Sequence, residues 1–211
     1  MSSLRRVAVA GRHYYIKAYE QAGRMLRKYI GTSRVRAEWQ NLQYFRAIGV
    51  PTARVVAYGE QTGLPGPRKG VLVTEEIPGT IDLASLVKKE NEHLADRDWL
   101  NCVARRLAGH VRTLHDHHFV HNDLKFRNVL VEFSPDPQVY IIDCPLGRRM
   151  HGPFLQRGVV KDLACLDKVA KYHFSKPFRM RFYKQYECGL HLDSRDKARL
   201  RRVLTFFEGR E

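Results

Sequence analysis

The first twenty residues form two short runs rich in apolar and aromatic side chains on either side of a glycine. Residues 4–10 read as one strand, Gly11 marks a turn, and residues 13–19 read as the second strand of a hairpin, with Tyr14-Tyr15-Ile16 as characteristic strand composition. Residues 20–33 are polar and basic, carry Gly23 and Gly31, and read as an irregular connection. The period then changes. Trp39, Leu42, Phe45 and Ile48 recur every third residue, which predicts a helix over residues 34–48 that Gly49 and Pro51 bring to an end. Residues 55–58 and 70–75 read as two further strands, separated by a Gly/Pro-rich loop over 62–69.

Beyond Pro78-Gly79 the pattern is mostly helical. Asp82 can cap a short helix running to residue 89. A longer helix over 96–117 aligns Leu100, Val103, Leu107, Val111 and Leu114 in one stripe. Short strands over 129–133 and 139–142 flank the turn Ser134-Pro135-Asp136-Pro137. Helices resume from about residue 161, again near Pro177, and from residue 194 to the end. There is no internal repeat and no low-complexity segment. This order predicts an α+β, bilobal protein: a small β-rich N-lobe with one helix over residues 1–77, and a mainly helical C-lobe over residues 78–211.

Composition adds limits. A chain of 211 residues with 44% hydrophobic content can bury a real core. No run approaches the roughly 20 apolar residues of a membrane span. The apolar stretch over 7–10, after Arg5 and Arg6, is too short for a signal-peptide core, so a cytoplasmic protein is expected. Cys102, Cys144, Cys165 and Cys188 show no C-x-x-C spacing and read as free thiols. The net charge of +15 points to anionic partners: nucleic acid, an anionic membrane surface or a phosphorylated glycolipid. The charge is spread in pairs such as Arg27/Lys28, Arg105/Arg106 and Arg201/Arg202, without a basic tail or an RNA-binding or zinc-finger motif, so charge alone does not choose among them.

Candidate chemistry concentrates in residues 121–130, His-Asn-Asp-Leu-Lys-Phe-Arg-Asn-Val-Leu, between the long helix and a strand. Asp123 can orient or accept the proton of an attacking hydroxyl. Asn128, and Asp143 after the next strand, can each offer oxygen to magnesium, a hard cation. Lys125 can stabilise a transferring phosphoryl group. The stretch resembles the catalytic loop of the protein-kinase-like superfamily, usually H-R-D-L-K-x-x-N. The order of the flanking segments agrees with that resemblance. It implies that Lys17, in Tyr15-Ile16-Lys17, contacts ATP phosphates, and that Glu38 on the first helix pairs with it, Glu20 being a weaker rival. It implies a hinge at residues 72–79, where backbone groups of Glu75 and Ile77 meet adenine in front of Thr74. Asp162 is either a brace beneath the catalytic loop or an acid at a helix N-terminus.

Gly49-Val50-Pro51-Thr52, Thr74-Glu75, and the ending from Asp162-Leu163 to Arg181-Phe182-Tyr183 resemble one branch, the bacterial lipopolysaccharide core kinases of heptose or Kdo sugars, over roughly residues 5–190. The resemblance implies ATP and Mg2+ as cofactors. The acceptor would be a core glycolipid or oligosaccharide at the anionic inner-membrane surface, and nucleic acid is not expected. A protein or small-molecule kinase of the same fold, or a pseudokinase binding an anionic partner, are the alternatives. The sequence departs from the superfamily in three places. Asp143-Cys144-Pro145 replaces Asp-Phe-Gly, and Asn122 replaces the arginine of His-Arg-Asp, both arguing for an enzyme without a phosphorylation switch. No G-x-G-x-x-G precedes Lys17: either the chain starts further upstream, or the phosphates are covered differently. His115, His117, His118 and His121 cluster at a helix C-terminus and read as packing and dipole partners rather than metal ligands.

Overall fold

A computed structural model describes residues 2–20, 32–61, 69–189 and 191–209. The described chain divides into two compact units, Met1–Pro78 with Ile142–Gly147, and Gly79–Ile141 with Arg148–Glu211. The connection expected over 20–33 and the loop over 62–69 fall almost wholly outside the described residues.

The first unit is built on an antiparallel sheet of β1 (Ser2–Val9), β2 (Arg12–Tyr19), β3 (Val55–Gln61) and β4 (Lys69–Glu75) in the order β1-β2-β4-β3. The β1–β2 turn is two residues long, with Ala10 (φ 49°) and Gly11 (φ 74°) both left-handed, the geometry that matches strand twist in a tight hairpin. Helix α1 (Arg34–Ala47) starts at Ser33, whose hydroxyl accepts from the Arg36 N–H, and packs on β3 and β4. Its buried stripe is Val35, Glu38, Leu42 and Phe45. Trp39 and Ile48, expected on the inner face, are only half-buried. Spacings of three and four average the helical period, whereas a strict three drifts around the helix. Trp39 instead stacks on Tyr58 of β3, with centroids 4.8 Å apart. Gly70 lets α1 come this close, because a Cβ there would lie 2.4 Å from Val35 Cγ1.

The second unit carries a sheet of β5 (Thr80–Asp82), β7 (Val129–Glu132) and β8 (Val139–Ile141), and a two-stranded ladder of β6 (Phe119–Val120) with β9 (Arg148–Arg149). Strands of two or three residues show no periodicity, so β5, β6 and β9 leave no signal in the sequence. Asp82 caps α2 (Leu83–Lys88) through the Ser85 N–H. Helix α3 (Arg97–Asp116), capped by Asp96, buries Val103, Leu107, Val111 and Leu114. Helices α4 (Gly152–His173), α5 (Lys176–Glu187) and α6 (Ser194–Leu204) complete the unit. Helix α4 begins some nine residues before its expected start. Gly152-Pro153 looks like a breaker but is a good first turn, since proline there lacks only an N–H that would go unpaired. No helix among the described residues is long and apolar enough to cross a membrane.

Gly158 is where α4 meets β6. A Cβ on it would lie 2.6 Å from Val120 Cγ2, and the β-branched Val120 has little rotamer freedom with which to move away. Gly158→Ala is therefore expected to destabilise the protein by about 1–3 kcal/mol, the overpacking cost exceeding the gain of about 1 kcal/mol in helix propensity. Urea unfolding of Gly158→Ala, Val120→Ala and the double variant should give a combined loss smaller than the sum of the two.

Candidate active site

Each unit gathers its own set of candidate side chains. In the first unit Lys17 sits on β2, and its ammonium lies 3.0 Å from both carboxylate oxygens of Glu38 on α1. The same ammonium ion-pairs with Asp143 in the segment Ile142–Gly147. Glu20 lies exposed beyond the strand end and takes no part. Glu38 is only 3% exposed. Burial raises its pKa, Lys17 pulls the other way, and Asp143 raises it further, leaving a net upward shift. Burial opposes the Lys17 ammonium too, but Glu38 and Asp143 outweigh it and its pKa is raised.

Two further residues hold this set. Tyr19 follows Lys17 by two positions, on the same face of β2, and its hydroxyl donates to Glu38 Oε2. Burial, then the neighbouring Glu38, raises the Tyr19 phenol far above its ordinary range. Asn41 follows Glu38 by three positions on α1 and donates to the carbonyls of Cys144 (2.7 Å) and Gly147 (2.9 Å), which ties the Asp143 segment to the helix. Asp143 itself has a left-handed backbone (φ 58°), a conformation that Asp tolerates better than most residues. At the end of β4 the Glu75 carboxylate pairs with Arg54 (2.7 Å) and Arg12 (3.4 Å). Its N–H donates to the Arg54 carbonyl, which leaves the Glu75 carbonyl as the group to consider for a base. Ile77 lies two residues beyond the strand.

In the second unit the loop after β6 is formed around Asp162. This carboxylate is fully buried in the middle of α4, so it is not a helix N-terminal acid. It accepts from the backbone N–H groups of His121 (2.7 Å) and Asn122 (2.8 Å), the brace arrangement. His115 Nε2 lies 3.4 Å from it, with the other ring nitrogen 2.8 Å from the Tyr186 hydroxyl on α5. Asn122 has φ 67°, and His121 Nδ1 accepts from the Asp123 N–H. The remaining histidines go elsewhere: His117 bonds the Thr113 carbonyl, and His118 packs edge-on to His151.

The loop sets the next residues in order. Asn128 is 2% exposed, and its amide nitrogen donates to the Asp123 carbonyl (2.8 Å). That bond orients the amide so that Oδ1 is the atom on offer, and among the described residues Oδ1 has no hydrogen-bond partner. Taken each within its own unit, Asn128 offers a neutral oxygen and Asp143 a carboxylate, both donor types that suit a hard divalent cation. Asp123 Oδ1 lies 2.6 Å from Lys125 Nζ, and Oδ2 lies 3.3 Å from Arg127 Nη2. Tyr19, Asn41 and Arg127 belong to no motif in the sequence. For Tyr19 and Asn41 the spacings from Lys17 (two) and Glu38 (three) were the available signal, since they set neighbours on one strand face and one helix face; Arg127 reaches Asp123 through an irregular loop, where spacing carries no such signal.

The profile of the Lipopolysaccharide kinase (Kdo/WaaP) family matches residues 1–186. The chain is 34% identical over 84 residues to the lipopolysaccharide core heptose(I) kinase WaaP of Pseudomonas aeruginosa, a match covering 37% of this chain and 31% of that protein. It is 32% identical over 105 residues to the 3-deoxy-D-manno-octulosonic acid kinase of Actinobacillus succinogenes, covering 49% of this chain and 40% of that protein. The matched segments thus span well under two thirds of either relative. A solved structure of WaaP in complex with acyl carrier protein superposes with a TM-score of 0.73 at 24% identity, covering 97% of this chain and 85% of that one. The α+β bilobal expectation is met at the level of fold.

Two outcomes follow from this geometry. Lys17→Met leaves the Glu38 carboxylate buried without its cation, at a cost of about 3 kcal/mol once Glu38 is ionised. Losing Lys17 raises the folded-state pKa of Glu38 further. The penalty is therefore absent below the unfolded carboxylate value and grows as pH rises through the folded one. Urea unfolding should show a larger difference from wild type at pH 8 than at pH 5. Asp162→Asn keeps one acceptor oxygen for two backbone donors and is expected to cost about 1–3 kcal/mol, read as a lowered denaturation midpoint.

Proposed function

Because the chain belongs to the lipopolysaccharide kinase (Kdo/WaaP) family, we propose that it is an ATP-dependent phosphotransferase acting on a hydroxyl of a lipopolysaccharide inner-core sugar, heptose or Kdo. The observation that carries this reading is the ammonium of Lys17 held by both Glu38 and Asp143, residues far apart in the chain. Gathering two carboxylates around one half-buried lysine weakens a fold more often than it strengthens it, so the arrangement needs a use. Binding of nucleotide phosphates is that use: Glu38 and Tyr19 fix the lysine, and the phosphates take over its contact with Asp143.

The other roles follow from chemistry at named atoms. Magnesium, when bound, would supply positive charge to neutralise the charge that develops on the phosphates in transfer. The Asp143 carboxylate and Asn128 Oδ1 are the oxygens that would hold it. Asp123 orients the sugar hydroxyl and receives its proton, and Lys125 steadies the transferring phosphoryl group. Glu75 and Ile77 would meet the adenine through their backbone. Positioning and electrostatic stabilisation carry the catalysis, since phosphoryl transfer asks little covalent help of the protein.

The acceptor places the enzyme in the cytoplasm at the inner-membrane surface, and the net charge of +15 suits an acidic glycolipid there. The similar solved structure is a complex with acyl carrier protein, and we extend that partner to this chain. An apolar cavity of about 290 Å³ in the helical unit, lined by Leu107, Phe126, Leu166 and Phe174 among others, supports the extension, because it could take an acyl chain.

The test is ATP consumption with magnesium, with and without delipidated inner-core oligosaccharide. Wild type should show acceptor-dependent turnover, and Asp123→Asn should lower it at least about a hundredfold. Full turnover in Asp123→Asn would remove Asp123 from the mechanism. Labelled phosphate passing to proteins but not to the oligosaccharide would move the reading to a protein kinase. ATP bound without turnover would move it to a pseudokinase.

A further inference from the structure

The carboxylate of Asp123 is occupied on both oxygens, and the two cations that occupy it are not equivalent. Lys125 Nζ lies 2.6 Å from Oδ1, and Arg127 Nη2 lies 3.3 Å from Oδ2. An acceptor hydroxyl approaching Asp123 needs one of these oxygens. Lys125 holds the shorter contact. Arg127 makes a longer, single-nitrogen contact, and its side chain is 60% exposed. Exposed pairs of this kind, four residues apart, contribute little to stability, so the guanidinium can leave Oδ2 at small cost.

The base of Arg127 is nevertheless fixed. It stands in a single 3-10 turn, Phe126–Asn128, between the buried residues Phe126 and Asn128. Among the described residues Asp123 is its sole acidic partner. A guanidinium is a planar fork suited to gripping a carboxylate or phosphate with two nitrogens, and one bond to Asp123 leaves most of that capacity unused. When a hydroxyl displaces Arg127 from Oδ2, an exposed cation is left beside the reacting group.

We propose that Arg127 selects the acceptor. It moves from Asp123 to a carboxylate or phosphate carried by the acceptor next to the hydroxyl to be phosphorylated, so that anion recognition and the opening of Asp123 are one event. This inference rests on the reading of Asp123 given under Proposed function. It narrows the acceptor to sugars that bear a negative charge near the reacting hydroxyl. Arg127 is here a specificity residue; the proton of the hydroxyl still goes to Asp123.

The experiment compares two acceptors: inner-core oligosaccharide, and the same oligosaccharide with its carboxylates reduced to alcohols and its phosphates removed. Each is assayed with wild type, Arg127→Ala, Arg127→Lys and Arg201→Ala, the last removing the same charge from the exposed face of α6. For wild type, neutralising the acceptor should lower kcat/KM about tenfold or more, chiefly through KM. For Arg127→Ala most of that preference should vanish, with KM for ATP unmoved; Arg127→Lys should keep part of it, and Arg201→Ala all of it. Equal losses for Arg127→Ala on the charged and neutral acceptors would overturn the proposal and leave Arg127 acting on Asp123 alone. A wild-type protein that phosphorylates neither acceptor would overturn the sugar-kinase reading and this inference with it.

Discussion

A single buried carboxylate shapes the helical unit's share of the chemistry. Asp162 has no exposure to solvent, and an isolated charge in that position would be prohibitively costly. Two backbone N–H groups, from His121 and Asn122, offset that cost, and His115 adds a third contact. The same bonds hold the chain in the left-handed turn at Asn122, which a free loop would avoid. Everything downstream inherits this constraint. Once Asn122 is fixed, Asp123 follows in a set direction, its carbonyl accepts from Asn128, and Asn128 leads into β7. The close approach of α4 at Gly158 belongs to the same construction, since it seats Val120 immediately before the loop.

The sheet unit solves a similar problem by other means. Its buried acid, Glu38, is matched by a side-chain cation and a phenol rather than by backbone donors. Backbone donors are permanent, whereas the lysine also reaches Asp143 and can trade partners. The contrast fits the different tasks proposed for them: Asp162 holds a loop still, and Glu38 would hold a cation ready for the nucleotide phosphates. Asn41 serves the first kind of task within this unit, gripping two carbonyls of the segment that bears Asp143.

Much of this was legible in the sequence where a long pattern carried it. The hairpin, α1 and α3 were set by periods sustained over eight or more residues. The candidate residues of the loop followed from their order between a helix and a strand. Short-range physics hid the rest. A Gly-Pro pair reads as a stop, yet it opened α4 and thereby moved Asp162 from a helix end to its middle. The inner face of α1 contains Glu38 where a hydrophobic pattern would look for an apolar residue, so counting apolar positions tilted the expected face toward Trp39 and Ile48. Tyr19, Asn41 and Arg127 carry no motif at all. They matter because of the atom they touch, and spacing nominates the first two without saying which contact is made.

The departures from the superfamily pattern acquire a local reason when the backbone is considered. Asn122 stands where an arginine is usual, at φ 67°, and Asp143 precedes Cys144-Pro145 at φ 58°. Asn and Asp are the non-glycine residues that bear a left-handed backbone most easily, so both positions suit the side chains they hold. Cys144 is fully buried and Pro145 restricts the next turn, which leaves the Asp143 segment few ways to swing. A segment so restrained is suited to a fixed position rather than to a flip between active and inactive forms. In the proposed reading, specificity then rests on side chains that can move on a rigid base, such as the exposed guanidinium of Arg127 between its two buried neighbours.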